Sequence, residues 1–71
     1  MSPQPQFPQN PQDDLDAYLG LDAGEAELRA RERGWTTVRS LPPGAIVTLE
    51  YMARRLNFTV EEGRVRRCWA G

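Results

Sequence analysis

One cysteine, no histidine and no lysine occur among the 71 residues. Cys68 alone cannot form an intrachain disulfide, and without histidine no His/Cys metal site can be assembled. The usual staples of a scaffold this small are therefore missing, and a chain of this length buries only about 60% of the surface it exposes when unfolded. Whatever folds here folds on side-chain packing around a small core. The same absences remove most catalytic chemistry. There is no imidazole, no base near the thiol and no convergent carboxylate pair, so the chain reads as a binding protein and not an enzyme, with no metal or cofactor expected. No apolar run is long enough to span a bilayer, so no membrane partner is expected either.

Charge of one sign is scarce in each half. Residues 1–32 carry seven acids against Arg29 and Arg31, whereas residues 33–71 carry seven arginines against Glu50, Glu61 and Glu62. The second half is locally basic, which leaves open an RNA-binding sheet whose affinity would fall steeply with salt. The lack of lysine, of a long basic run and of a basic helix with interleaved aromatics weighs against nucleic acid. Solvated arginines on a sheet face are the expected alternative. A lone thiol fits a reducing compartment, and residues 1–12, with four prolines and no apolar run, do not read as a secretory signal. Cytoplasm is the default expectation, or secretion if a leader precedes this chain, and a monomer is the default assembly.

What is present divides the chain in two. Residues 1–14 read as a disordered Pro/Gln-rich tail and residues 15–71 as a single domain. Leu15, Tyr18, Leu19 and Leu21 cluster ahead of Asp22-Ala23-Gly24-Glu25, an acid at a helix N-cap with Glu three residues on, each side chain able to satisfy an orphan backbone N–H. The helix is expected to reach about Arg33 and stop at Gly34. Ala23, Ala26 and Ala30 share one stripe, which implies close approach to another layer, while Leu28 points nearly the opposite way and has no evident partner. Strands follow at Trp35–Leu41, with Val38 inward, and at Leu56–Val60, where Leu56, Phe58 and Val60 alternate with Asn57 and Thr59. Glu61-Glu62-Gly63 supplies a turn into a third strand, Arg64–Trp69, with Val65 inward. The expected fold class is α+β, one helix packed on a small three-stranded sheet.

The segment 43–53 has two readings. Its apolar run Ala-Ile-Val-Thr-Leu suits a buried central strand. Against that, Pro42 and Pro43 cannot donate to a ladder, Glu50 would sit unpaired inside the sheet, and clean alternation resumes only at Leu56. An extended, exposed loop is the competing reading.

Leu41-Pro42-x-Gly44-x-Ile46-Val47-Thr48-Leu49-Glu50-Tyr51, with Arg55 six residues after Leu49 and a final Gly71, resembles the potato inhibitor I group of serine-protease inhibitors, particularly its short bacterial and fungal branch. Tyr18-Leu19-Gly20, Asp22 and Glu25-Ala26 agree with the same group, and the resemblance covers about 18–71. It implies a mixed sheet in which a protease-binding loop joins two parallel strands. The loop comprises Gly44, Ala45, Ile46, Val47, Thr48, Leu49, Glu50, Tyr51 and Met52. Leu49 enters the protease's specificity pocket, and Leu49-Glu50 is the scissile bond, cut poorly. The implied partners are subtilisin-like, chymotrypsin-like or elastase-like serine proteases. In that group two arginines on the strand beneath brace the loop against the final glycine. Arg55 matches the first, with Gly71 as the glycine. Asn57 stands at the second, so either Asn57 bonds the loop directly or Arg54 substitutes. The terminal disulfide frequent in the short branch is absent. A non-inhibitory interaction module built on the same fold and loop is the alternative function.

Overall fold

In a computed structural model of the chain, residues 10–47 and 50–71 are described. A 3-10 turn at Leu15–Tyr18 leads into helix α1 (Ala23–Glu32), followed by strands β1 (Thr37–Leu41), β2 (Arg55–Glu61) and β3 (Arg64–Ala70). The sheet order is β1-β2-β3, with β1 parallel to β2 and β2 antiparallel to β3. The fold is the expected α+β arrangement of one helix on a mixed three-stranded sheet.

Local sequence accounts for both ends of α1. The Asp22 carboxylate accepts from the amides of Gly24 at 3.0 Å and Glu25 at 3.2 Å, two of the donors a helix start leaves orphaned. The reciprocal half of the expected box differs, since Glu25 pairs forward with Arg29 at 3.4 Å. At the other end Gly34, with φ +105°, takes the left-handed position. The Trp35 amide bonds to Ala30 O at 3.1 Å and the Gly34 amide to Arg31 O at 3.2 Å, the paired bonds of a Schellman cap. Trp35 is thereby spent on ending the helix and packing into the core, so β1 begins at Thr37 and not at Trp35.

The alanine stripe works as its spacing predicts. Ala26 and Ala30 are fully buried, and the small side chains let α1 approach a core of Tyr18, Trp35, Leu56, Phe58 and Val65. Tyr18 and Phe58 meet with ring centroids 5.6 Å apart. Each large side chain buried here contributes about 1.5–3 kcal/mol. Leu28 lies on the far side of the helix and is exposed.

One part of the expected tail belongs to the folded unit. Asp13, placed by composition in the 1–14 segment, has a side chain only 1% exposed. It accepts hydrogen bonds from the Tyr18 hydroxyl, from Trp35 Nε1 at 3.0 Å and from Arg33 Nη1 at 3.2 Å. The reason is physical: Tyr18 and Trp35 each carry a polar group into the core and need an acceptor there. Burial pushes the Asp13 carboxyl up, but the hydrogen bonds from Tyr18 and Trp35, the Arg33 charge and the Asp14 backbone outweigh it and hold the carboxyl below its ordinary range. Residues 1–9 of the expected tail lie outside the described residues.

The turn between β2 and β3 has Glu62 at φ +53° and Gly63 at φ +78°, the two positive angles of a type I′ hairpin. A register shift between Thr59 and Val60 interrupts the β2–β3 ladder.

Candidate functional site

Parallel pairing of β1 with β2 places the ends of the two strands so that their connection must run back along the sheet. Thr37 pairs with Arg55 and Leu41 with Thr59, so the chain leaving Leu41 must return by about 13 Å, at about 3.3 Å per residue, before Arg55. The segment 42–54 has far more contour than that return needs. Its start is a turn in which the Ala45 amide bonds to Pro42 O at 3.2 Å, with Pro43 second and Gly44 third at φ +78°. Proline and glycine at those positions are what a type II turn requires.

Beyond the turn the chain is displayed. Ile46 is 93% exposed and Tyr51 70%, with Val47 and Met52 also exposed, and none of the described loop residues pairs into the sheet. The buried-strand reading of 43–53 therefore fails for these residues. Thr48 and Leu49, including the residue expected to enter a specificity pocket, lie outside the described residues.

Beneath the loop, side chains alternate across the strands. Leu56 and Phe58 point to the helix, while Asn57 points to the loop side and is completely buried. Arg55 Nη2 donates to Glu50 O at 2.6 Å and Nε to Gly71 O at 2.9 Å, so one guanidinium ties the loop to the last residue of β3's trailing end. Gly71, at φ +107°, packs so closely beneath Tyr51 that an added Cβ would stand 3.1 Å from the ring. Asn10 holds the same side, its Nδ2 donating to the Tyr51 hydroxyl at 3.3 Å and its Oδ1 accepting from the Arg54 amide at 2.8 Å.

Of the expected supports, Arg55 and Gly71 meet directly and Arg55 reaches Glu50. Asn57 donates not to a described loop residue but to Trp69 O at 3.2 Å and Gly71 O at 3.1 Å. Arg54 sits at φ +62° where the loop turns into β2, its carbonyl accepting from the Thr36 and Thr37 amides at 3.0 and 3.3 Å. Arg39 was not among the residues expected here. It faces Asn57 across the parallel pair, and its Nε donates to Asn57 Oδ1 at 2.8 Å. A signal existed in the sequence: Thr37, Arg39 and Leu41 alternate with Val38, so any loop returning over the outer face of β1 had to meet them. A groove of about 540 Å³ runs along Pro42–Ala45 and Trp69, and a smaller hollow of about 210 Å³ is bordered by Arg39, Val47, Glu50 and Tyr51.

The basic half of the chain is mostly engaged internally. Besides Arg39 and Arg55, Arg33 meets Asp13, Arg64 Nη1 donates to Gly20 O at 3.0 Å and Arg67 lies 5.6 Å over the Trp69 ring. Cys68 is half-buried on β3, and burial, then Asp13 and Asp16, push its thiol up to about 12. That suppresses the thiolate a nucleophile or metal ligand needs. Among the described residues there is no cluster able to hold a metal ion, and no helix is long and apolar enough to cross a membrane.

Comparison with curated proteins and with solved structures gave no match. Residues 14–71, the whole of the folded unit from the 3-10 turn onward, match the family model of the peptidase inhibitor I78 family, and the chain therefore belongs to that family, whose partners are proteases.

Proposed function

We propose that the chain inhibits a serine protease by offering loop 43–53 as a substrate that is cut slowly, in the manner of the potato inhibitor I group. Leu49 fills the specificity pocket, Ile46, Val47 and Thr48 occupy the subsites before the Leu49-Glu50 bond, and Tyr51 and Met52 those after it. An extended, unpaired segment can hydrogen-bond along the protease cleft through its main chain while alternate side chains set specificity. Leucine selects apolar pockets of the subtilisin, chymotrypsin or elastase kind over that of trypsin. Burying it is worth about 1.5–3 kcal/mol.

The observation that carries this reading is the Arg55 clamp on Glu50 O at 2.6 Å. Glu50 is the residue whose amine leaves when the bond is cut. A leaving group tethered by Arg55, with its neighbour Tyr51 packed on Gly71 and bonded to Asn10, stays beside the acyl-enzyme, so resealing competes with hydrolysis. Preorganisation also spares the roughly 0.5–1.5 kcal/mol per side chain that ordering a flexible substrate costs. An inhibition panel of subtilisin-like, chymotrypsin-like and elastase-like proteases tests the reading, with Leu49→Arg expected to move preference toward trypsin. Unchanged inhibition in Leu49→Arg sinks the loop assignment. A folded chain that inhibits none of the panel leaves the non-inhibitory interaction module.

A further inference from the structure

Among the described residues Arg55 holds the loop at Glu50 O, and the second strut expected on β2 is an uncharged residue. Asn57 is completely buried, and its hydrogen bonds run sideways within the sheet. Its Oδ1 accepts from Arg39 Nε at 2.8 Å, and its Nδ2 donates to Trp69 O and Gly71 O at 3.2 and 3.1 Å. This pattern leaves the amide one orientation. Reversed, it would set NH₂ against a guanidinium and an oxygen against two carbonyls.

Gly71 O is therefore shared. It accepts from Asn57 Nδ2 and from Arg55 Nε at 2.9 Å, which joins Arg39, Asn57, Gly71, Arg55 and Glu50 O in one hydrogen-bonded chain. Arg39 commits Nε to Asn57, and a guanidinium has five N–H donors in a rigid fork. Arg39 borders the 210 Å³ hollow together with the loop residues Val47, Glu50 and Tyr51. Val47 and Glu50 are the residues on either side of Thr48-Leu49.

We propose that Arg39 is the second positioning residue of the loop. It acts from β1 and not β2, is seated by Asn57, and supports the loop at Val47 and Glu50 while Arg55 holds the Glu50 carbonyl. The brace is thus divided between two parallel strands, and the position that lacks an arginine on β2 has become the anchor for one on β1. This inference rests on the proposed inhibitory function.

The test compares wild type, Arg39→Ala, Arg39→Lys and Ala30→Gly. The last is a helix-face change remote from the loop that destabilises by packing and propensity alone. Each chain is incubated with a protease that the wild type inhibits, the cut at Leu49-Glu50 is timed by mass spectrometry, and the thermal midpoint is recorded. Hydrogen bonds from a charged donor are worth enough that Arg39→Ala should be cut about tenfold to a hundredfold faster. Arg39→Lys, a point charge without the fork, should fall between, and Ala30→Gly should be cut at the wild-type rate despite a lower midpoint. Cleavage of Arg39→Ala at the wild-type rate, or equal acceleration in Ala30→Gly, overturns the inference while leaving the inhibitory function standing. If Arg39→Ala does not fold, Arg39→Lys decides by the same criterion. A wild type that inhibits nothing overturns the function and this inference with it.

Discussion

Removing the Arg55 guanidinium should separate the loop's rigidity from the stability of the domain. Arg55→Ala deletes the bonds to Glu50 O at 2.6 Å and Gly71 O at 2.9 Å, and hydrogen bonds from a charged donor are worth about 1.5–3 kcal/mol each. The two losses are unequal. Gly71 O keeps its bond from Asn57 Nδ2 at 3.1 Å, so no acceptor is orphaned there. Glu50 is exposed, and water replaces the lost donor. The net cost to folding should therefore be about 1–2 kcal/mol, which for a domain of this size lowers the thermal midpoint by roughly 4–16 °C. The effect on the loop is not cushioned by water, because water satisfies the Glu50 carbonyl without holding it in place. Losing about 1.4–2.8 kcal/mol of positional restraint corresponds to cleavage about tenfold to a hundredfold faster. Progress curves should show inhibition that decays as the chain is consumed, with mass spectrometry following the products. Arg55→Lys should resemble the alanine variant, since one ammonium cannot span the two carbonyls as the fork does. If Arg55→Ala loses stability yet is cut at the wild-type rate, the clamp belongs to the fold alone and the reasoning is wrong.

Two further outcomes follow from the geometry. Glu62 occupies a left-handed position at φ +53°, so Glu62→Asn should stabilise the hairpin by about 0.5–1 kcal/mol; a lower thermal midpoint would count against the turn assignment. The folded Asp13 carboxyl lies below its ordinary value, so its contribution is fully present above the unfolded pKa of about 3.9 and is lost as pH falls through the folded value. Asp13→Asn should therefore be less stable than wild type at pH 7, with the gap narrowing below about pH 4. A gap independent of pH would remove the carboxylate as its cause.

Sequence and structure agree where the signal is local. Asp22 and Gly34 mark α1 because a cap and a left-handed stop are short-range chemistry, and the Leu56-Phe58-Val60 alternation marks β2 because a strand with one covered face must alternate. The loop was ambiguous for a physical reason as well. Ile46 and Val47 look like core in composition, and only their place between parallel strands, which forces a long return path, exposes them. Asp13 was hidden by its Pro/Gln-rich surroundings; its role comes from Tyr18 and Trp35 needing an acceptor, and that need appears only once both are in the core. Arg39 was hidden by register. A charge in the middle of a short strand reads as solvated until the parallel ladder sets it opposite Asn57. The resemblance places a second arginine on β2, whereas here an arginine on β1 lies opposite that position and bonds Asn57.

The most direct test of the central claim is to incubate the intact chain with a subtilisin-like or chymotrypsin-like protease that it inhibits and to locate every cut by mass spectrometry over time. Slow cleavage confined to Leu49-Glu50, with most of the chain intact while the protease stays inhibited, is the result predicted. Inhibition that persists with the Leu49-Glu50 bond never cut, or cut only after bonds elsewhere in the chain, would contradict it.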